Sequence, residues 1–437
     1  MSDHSLITLV TTDHAGITRG RALSRAAYEA DNTKTCGWVP ANFSLTPFGE
    51  IASPNPWGSA GDLRLRPDPD ARFTCHPQGS ATALDFVMSD VVNLDGSDFV
   101  ACPRTLLSQA LAALKAETGL SVTASFEHEF QFTDGAGEGA PFSLTKLRGM
   151  EEFSEDLFRS LEEAGLGPEN LLPEYGAHQF EVTVKPSDAL AAADRAVALR
   201  EILKEVARTH DRAITFSPKA APDGVGNGLH IHLSLSDEAG RPVTYDAAGP
   251  GGLSPRAQRF AAGIVRHMRA LIAFTACSAI SGIRLQPHNW SSSYTWLGDR
   301  DRESSLRICP VVTMGGKKPD AQFNMEYRAA DCTASPHLAL AVLVMAGLQA
   351  FRETLPPAPV FSGDPDLLSE AEREKLGLFR LPTSIDACLK ALQADAVVQG
   401  WFDPLMLESY IGMKRKEEAL MAGLTDAERC ARYAEIY

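Results

Sequence analysis

No stretch of this chain is long and apolar enough to span a bilayer. The greasiest run, Leu338 to Leu348, falls well short of the ~20 apolar residues that a membrane helix needs, so it reads as a buried helix. The 8 cysteines stand singly, with no Cys-x-x-Cys pair, which argues against a zinc knuckle or redox couple and for reduced thiols in a cytoplasmic protein. None is placed as a nucleophile. An excess of positive charge is also missing: the net charge is −15, so nucleic acid and anionic membrane surfaces are disfavoured as partners. Met1-Ser2-Asp3-His4-Ser5-Leu6 has no basic segment followed by an apolar one, and a secretory leader is not expected. Internal repeats and low-complexity tracts are absent as well. What remains is an ordinary globular composition, 44% hydrophobic and 22% charged over 437 residues, long enough for more than one domain.

The chemistry gathers around Gly226-Asn227-Gly228-Leu229-His230-Ile231-His232-Leu233-Ser234-Leu235, a glycine-rich turn running into a strand. Residues two apart on a strand share a face, so His230 and His232 look into one cavity while Leu229, Ile231, Leu233 and Leu235 look into a core. Glu127 and Glu129 repeat the pattern in Phe126-Glu127-His128-Glu129-Phe130-Gln131-Phe132, with an alternation that reads as imperfect at Phe130. Glu326 and Arg328 are again two apart. Taken one at a time these are ordinary features. A carboxylate pair is usually a solvated strand face, a lone histidine usually a satisfied structural one, and Arg302 and Arg307 beside Asp299 and Asp301 read as surface charge. Glu174 and Glu181 alone are loop and strand-end acids.

Along the chain, residues 6 to about 100 read as a small sheet-based domain broken by Gly, Pro and Asp. Pro103 opens a helix to about Glu117 and marks the start of a second domain, giving a division into 1–102 and 103–437. A strand over 121–132, a helix over about 150–164 stopped by Gly165, and a strand over 178–185 follow. Ser187 is the expected cap of a helix over 188–209, and Ile214 to Ser217 is a short strand. Ser254-Pro255 starts a helix to about Ala279, the segment 283–328 is loops and strands rich in Arg, and Pro336 opens the buried helix 337–352. The remainder, 364–437, reads as helical and charged.

Six segments in this order resemble the glutamine synthetase family, in register over roughly 104–395. They are the Glu127/Glu129 strand, Pro173-Glu174-Tyr175-Gly176-Ala177-His178-Gln179-Phe180-Glu181, the Gly226 to Leu235 stretch, Ser281-Gly282-Ile283-Arg284-Leu285-Gln286-Pro287, Arg302-Glu303-Ser304-Ser305-Leu306-Arg307-Ile308-Cys309-Pro310, and Met325-Glu326-Tyr327-Arg328-Ala329-Ala330-Asp331 with Ser335-Pro336-His337. The resemblance implies an α+β chain, with a β-grasp-like N-terminal domain and a catalytic domain built on a curved antiparallel sheet. It implies ATP as co-substrate and two or three Mg²⁺ or Mn²⁺ ions, with Glu129, Glu174 and Glu181 on one ion and Glu127, His230 and Glu326 on another. His232 and Ser234 would face the nucleotide, Arg302 and Arg307 the phosphates, and Gly226, Arg284 and Arg328 the glutamate. Carboxylates suit hard divalent cations, and the planar fork of Arg suits carboxylate and phosphate. A homo-oligomer of two stacked hexameric rings is implied too.

Three departures bear on the amine. Where ammonia-using members carry a loop glutamate six residues after the arginine matched by Arg284, this chain has Trp290, which offers an apolar wall and a π face to an alkyl or aryl amine. Glu50 stands where the family's small domain supplies an aspartate to the neighbouring subunit, and the regulatory tyrosine segment before Leu381-Pro382-Thr383-Ser384 is absent. With Arg302, Glu50 and Trp290 in catalytic positions, the expectation is a ligase that forms a γ-glutamylamide from glutamate and a primary amine of methylamine, ethanolamine, alkylamine, polyamine or aniline type. Glutamine synthetase itself, using ammonia, is the near alternative. A catalytically silent structural protein is the distant one.

Overall fold

Period-two alternation builds two sheets, and the computed structural model describes residues 5–437 of them and their helices. In the first part of the chain, β1 (Leu6–Thr12), β2 (Thr18–Ser24), α1 (Arg25–Ala30), β3 (Cys36–Trp38), β4 (Leu63–Cys75) and β5 (Leu84–Val92) follow one another. The strands form one sheet in the order β2-β1-β5-β4-β3. β1 is antiparallel to β2 and parallel to β5, a β-grasp-like arrangement.

After α2 (Pro103–Thr118) come β6 (Ser121–Phe132), α3 (Leu144–Arg148), α4 (Glu151–Glu163), β7 (Pro168–Pro173), β8 (Gln179–Val184), β9 (Ser187–Asp188), α5 (Ala189–Thr209), β10 (Ile214–Thr215) and β11 (Leu229–Ser236). Then follow α6 (Pro255–Thr275), α7 (Ser281–Arg284), β12 (Leu297–Asp299), β13 (Leu306–Ile308), β14 (Met325–Tyr327), α8 (Pro336–Arg352) and β15 (Val360–Phe361). The C-terminal part is helical: α9 (Glu370–Leu376), α10 (Ile385–Ala394), α11 (Ala396–Gln399), α12 (Pro404–Met421) and α13 (Asp426–Ala434). The large sheet runs β15-β12-β13-β14-β11-β6-β8-β7, with β9 and β10 also pairing to β6. It is antiparallel through the centre, but β12 lies parallel to both β13 and β15, an edge that alternation does not reveal because it is independent of strand direction.

Local chemistry explains the boundaries. Pro103 sits in the first turn of α2 and Gly119 ends it at φ 70, where only a residue without Cβ is comfortable. Phe153, Leu157 and Leu161 of α4 are buried at helical spacing, while Phe158 is only half-buried. The cap of α5 is Asp188, whose carboxylate accepts from Ala191 N at 3.2 Å, not Ser187, whose hydroxyl donates to Asp188 O at 3.3 Å. α6 stops at Thr275 rather than Ala279, since Ala276 leaves the helix at φ −158. α8 is the buried helix, and it presses on α6 so closely that a Cβ on Gly263 would lie 1.8 Å from Ala346 O.

β6 divides the molecule. Every second residue from Val122 to Phe132 is buried, so the alternation is regular at Phe130, and the odd member of the apolar face is His128, wholly enclosed with both ring nitrogens unpartnered. Burial pushes the His128 imidazole down to about 3, and the nearby Arg200 charge adds to this; it is a neutral core residue. The two sheets are tied through Arg104 of α2, 5% exposed, which donates to Asp194 of α5 at 2.9 Å, Asp90 of β5 at 3.0 Å and Asp68 of β4 at 2.6 Å. His337 of α8 adds a 2.8 Å contact to Asp194.

Candidate active site

The solvent face of β6 meets its neighbours in a register that lines up ionisable side chains across five adjacent strands. Glu129 stands opposite Glu181 of β8, and Glu127 opposite His230 of β11. His232 stands opposite Glu326 of β14, which is opposite Arg307 of β13. Like charges directly opposed, as at Glu129 and Glu181, destabilise a sheet, so this row needs something positive to hold it.

Glu127 is the hub. Its carboxylate lies 2.8 Å from His230 Nδ1 and 3.5 Å from His232 Nε2. Burial opposes its charge, but the hydrogen bonds from His230 and His232 win and hold its pKa well below the ordinary range. Burial likewise opposes an imidazolium at His232, yet Cys309, Glu127 and the charge of Glu326 raise its pKa well above normal. Glu326, 1% exposed, accepts from Arg307 Nη1 at 2.8 Å and pairs with Arg328. Burial again works against it, but Arg328, His230 and His232 bring it down to about 2.

Glu181 behaves in the opposite way. Burial first, then the charges of Glu127 and Glu129, push its pKa far up, and Glu174 is raised by burial and then Glu129. Two sets of three donors lie within 4.8 Å of one another, Glu127 with Glu181 and His230, and Glu127 with His232 and Glu326. The grouping differs from the expected triads: His232, assigned to the nucleotide, joins Glu127 and Glu326, while Glu129 and Glu174 fall outside both sets. Glu129 Oε2 instead accepts from Gly228 N at 2.6 Å and, more distantly, Gln179 Nε2 at 3.4 Å. Glu174 Oε2 accepts from Tyr175 N at 2.8 Å.

The glycine-rich turn must pass close to its neighbours. A Cβ on Gly226 would lie 2.8 Å from Arg284 Cγ, and one on Gly228 would lie 2.7 Å from His230 Nε2. Ser234 points to the same side as the two histidines and is half-buried. Arg284, 4% exposed, donates to the carbonyls of Arg328 at 3.0 Å and Ala329 at 3.4 Å. Arg328 in turn donates to Arg302 O at 2.9 Å and Trp290 O at 3.2 Å. The Arg302 side chain is exposed. Trp290 is 71% exposed in a loop where both it and His288 have positive φ, 52 and 63. Glu50 is not brought to the row within this chain; Lys416 of α12 holds it at 2.8 Å.

Several contributors escape sequence reasoning. Lys146 of α3, 1% exposed, donates its ammonium to Glu174 O at 2.8 Å and Gly176 O at 2.5 Å, fixing the turn that carries Glu174; nothing in its sequence neighbourhood marks it. Glu303 clamps the Trp290 loop, accepting from His288 N at 3.2 Å and Trp290 N at 2.6 Å. Asn324 Oδ1 lies 2.9 Å from His232 Nδ1. Gln179 bridges Glu129, Gly226 O and Asn227 Oδ1; like Glu303, it stands inside a motif that resembles the family.

Comparison with known proteins fits this geometry. Residues 1–99 match the glutamine synthetase N-terminal domain and residues 100–433 the glutamine synthetase catalytic domain. A γ-glutamylpolyamine synthetase, GlnA3, from Streptomyces coelicolor is 31% identical over 99% of this chain and 93% of its own length. A glutamine synthetase from Halobacterium salinarum is 29% identical over 99% of this chain and 94% of its own. Among solved structures, a crystal structure of a novel glutamine synthase homologue superposes with a TM-score of 0.92 at 43% identity, covering 100% of this chain and 99% of that one. A GmaS complex with ADP gives 0.80 at 25% identity, covering 98% and 96%. The row of carboxylates, histidines and Arg307 across five strands is thus carried on a chain matched in both its parts, and the protein belongs to the glutamine synthetase family.

Proposed function

We propose that this chain is an ATP-dependent ligase that joins L-glutamate to a primary amine and releases a γ-glutamylamide, ADP and phosphate. The observation that carries the reading is the charged row from Glu181 to Arg307 combined with Trp290 in the amine loop. An oxygen-rich, partly buried donor set with one carboxylate forced to keep its proton fits divalent cations, Mg²⁺ or Mn²⁺: Glu127, Glu181, His230 and Glu326 come together with His232, and Glu129 and Glu174, outside both groups, would complete the set that the family resemblance implies. Bound there, such ions supply charge neutralisation to phosphoryl and carboxyl oxygens.

The remaining roles belong to the chain. His232 and Ser234 face the nucleotide, and Arg302 and Arg307 receive the transferred phosphoryl group. Gly226, Arg284 and Arg328 orient the glutamate. A γ-carboxylate oxygen bonds to the terminal phosphorus of ATP as the bond to ADP breaks. The amine nitrogen then bonds to the γ-carbon, phosphate leaves, and nitrogen gives up a proton. Trp290 walls the amine side, and burying even one methylene there contributes about 0.8 kcal/mol. The carboxylates of Glu303 and Asp364 beside the Trp290 loop offer a place for the second charge of a polyamine, and the name of the Streptomyces relative points to polyamines.

Glu50 is exposed and belongs to the small domain, in keeping with its donation to a neighbouring subunit in a cytoplasmic ring assembly of two stacked hexamers, with the domain division at 102/103. No helix among the described residues is long and apolar enough to cross a membrane. ADP release with glutamate and a panel of alkylamines, ethanolamine, polyamines, aniline and ammonium tests the proposal. Turnover with ammonium equal to or better than with every amine would make the protein a glutamine synthetase, and no ADP with any of them would make it a silent homologue.

A further inference from the structure

Away from the charged row, the β1–β2 turn meets helix α5 and the last residues of the chain around a small cavity of about 80 Å³. Its walls include Gly16, Thr18, Arg200, Glu201, Lys204 and Tyr437. Arg200 is 3% exposed. Two of its nitrogens donate to main-chain carbonyls, Nη1 to Cys332 at 3.2 Å and Nη2 to Gly16 at 3.1 Å. Its Nε is buried without a partner, and so is the Thr18 hydroxyl.

One turn further along α5, Lys204 is pushed below the usual lysine range by burial, with Arg200 adding to this and Glu201 opposing it. Among the described residues neither Arg200 nor Lys204 makes an ion pair with a carboxylate. A buried guanidinium without a counter-ion is costly, as is an unsatisfied N–H beside it. Among the described residues that line it, the cavity therefore presents two cations and two orphaned polar hydrogens, with Glu201 as the one acidic side chain on its wall. Neutral water could satisfy the hydrogen bonds but not the charge.

We propose that this cavity is a binding site for a small oxyanion, of phosphate or carboxylate chemistry, that bridges the N-terminal sheet to α5. The anion accepts from Arg200 Nε, Lys204 Nζ and Thr18 Oγ1, and these charge-assisted bonds give it preference over chloride. Its position makes it a regulatory site. Arg200 holds Cys332 O, in the segment that leaves β14 directly after Glu326 and Arg328. On the other side Gly16 O belongs to a turn so tightly seated that a Cβ on Gly16 would lie 2.6 Å from Ala334 O. Filling the cavity therefore stiffens the joint between the small sheet and the strand that carries the active-site row.

The test is calorimetric titration of the intact protein with inorganic phosphate, and separately with malonate, against chloride at matched ionic strength, with ADP release followed in parallel. We expect saturable phosphate or malonate binding, weakened at least about tenfold in Lys204→Met and in Thr18→Val, while both variants keep basal ADP release. The stronger of the two ligands identifies the headgroup. Phosphate can also occupy the transfer site, so Arg307→Met is run alongside: binding that persists in Arg307→Met and is lost in Lys204→Met supports the cavity. Binding lost only in Arg307→Met, equal affinity in all variants, or no anion preferred over chloride would overturn it.

Discussion

Replacing Glu181 by glutamine is the sharpest probe of the charged row. Its carboxylate lies within 4.8 Å of Glu127 and His230 donors. Burial, and then repulsion from Glu127 and Glu129, make Glu181 keep its proton; at an effective dielectric of ~20, two unit charges at 4.8 Å repel by about 3.5 kcal/mol. The sign follows from the raised pKa. Between the unfolded value of 4.5 and the higher folded one, the native state binds more protons than the unfolded state, so metal-free stability falls as pH rises through that window. Glu181→Gln should flatten that slope and leave the metal-free melting midpoint unchanged or a few degrees higher at alkaline pH. In the wild type, Mg²⁺ or Mn²⁺ at a hundred times Kd should add about 2.7 kcal/mol. For a chain of this size that is a rise of about 3 °C, at about 1 °C per kcal/mol. The variant should lose most of it. Scanning calorimetry with and without chelator, across pH, reads both effects. A Glu181→Gln protein that melts lower without metal yet keeps the full metal-induced rise would refute the reasoning.

Other consequences can be checked directly. Trp290→Glu should move kcat/KM from alkylated amines toward ammonium, read as ADP release with each; an unchanged preference would remove Trp290 from the amine site. Glu303→Ala frees a loop that holds two non-glycine residues at positive φ, each costing of order 1–3 kcal/mol, so KM for the amine should rise more than KM for ATP. Arg104→Met leaves Asp194, Asp90 and Asp68 without their shared cation and should destabilise by roughly 3–5 kcal/mol in urea unfolding. Glu326, at about 2 when folded against 4.5 unfolded, contributes about 3 kcal/mol above pH 4.5 that fades as pH falls toward 2; in metal-free Glu326→Gln that acid limb should disappear.

Much of this architecture was readable from the chain because strands write their pleat into it. The faces of β6 and β11 follow from alternation alone, and Pro103, Ser254 and Pro336 announce their helices. The six motifs named the side chains in the row. What could not be read was partnership across sequence distance. His128 interrupts an apolar face without changing its periodicity, so alternation seemed to falter at Phe130 when it did not. Ser187 and Asp188 are both good caps, and only the start of α5 at Ala189 decides between them. Glu303 stands in a motif that matters for its arginines; its own meaning lies in two backbone N–H groups of a loop thirteen to fifteen residues earlier. The grouping of His232 with Glu127 and Glu326 depends on the stagger of three strands, and no linear pattern records that.

Arg328 sits where three segments meet, and this sets an order of events. While the site is empty its guanidinium is shared among Glu326, the Arg302 carbonyl and the Trp290 carbonyl. With Arg328 as the proposed glutamate ligand, a carboxylate that takes up this fork is expected to draw on the bond to Trp290 O, the longest of those with a stated length, and so to loosen the amine loop while Glu303 still holds Trp290 N and His288 N. On that reading the loop is expected to receive an amine only after glutamate has bound. Turnover should therefore follow a compulsory sequence with the amine last, visible as a competitive pattern for amine analogues against amine and an uncompetitive one against glutamate.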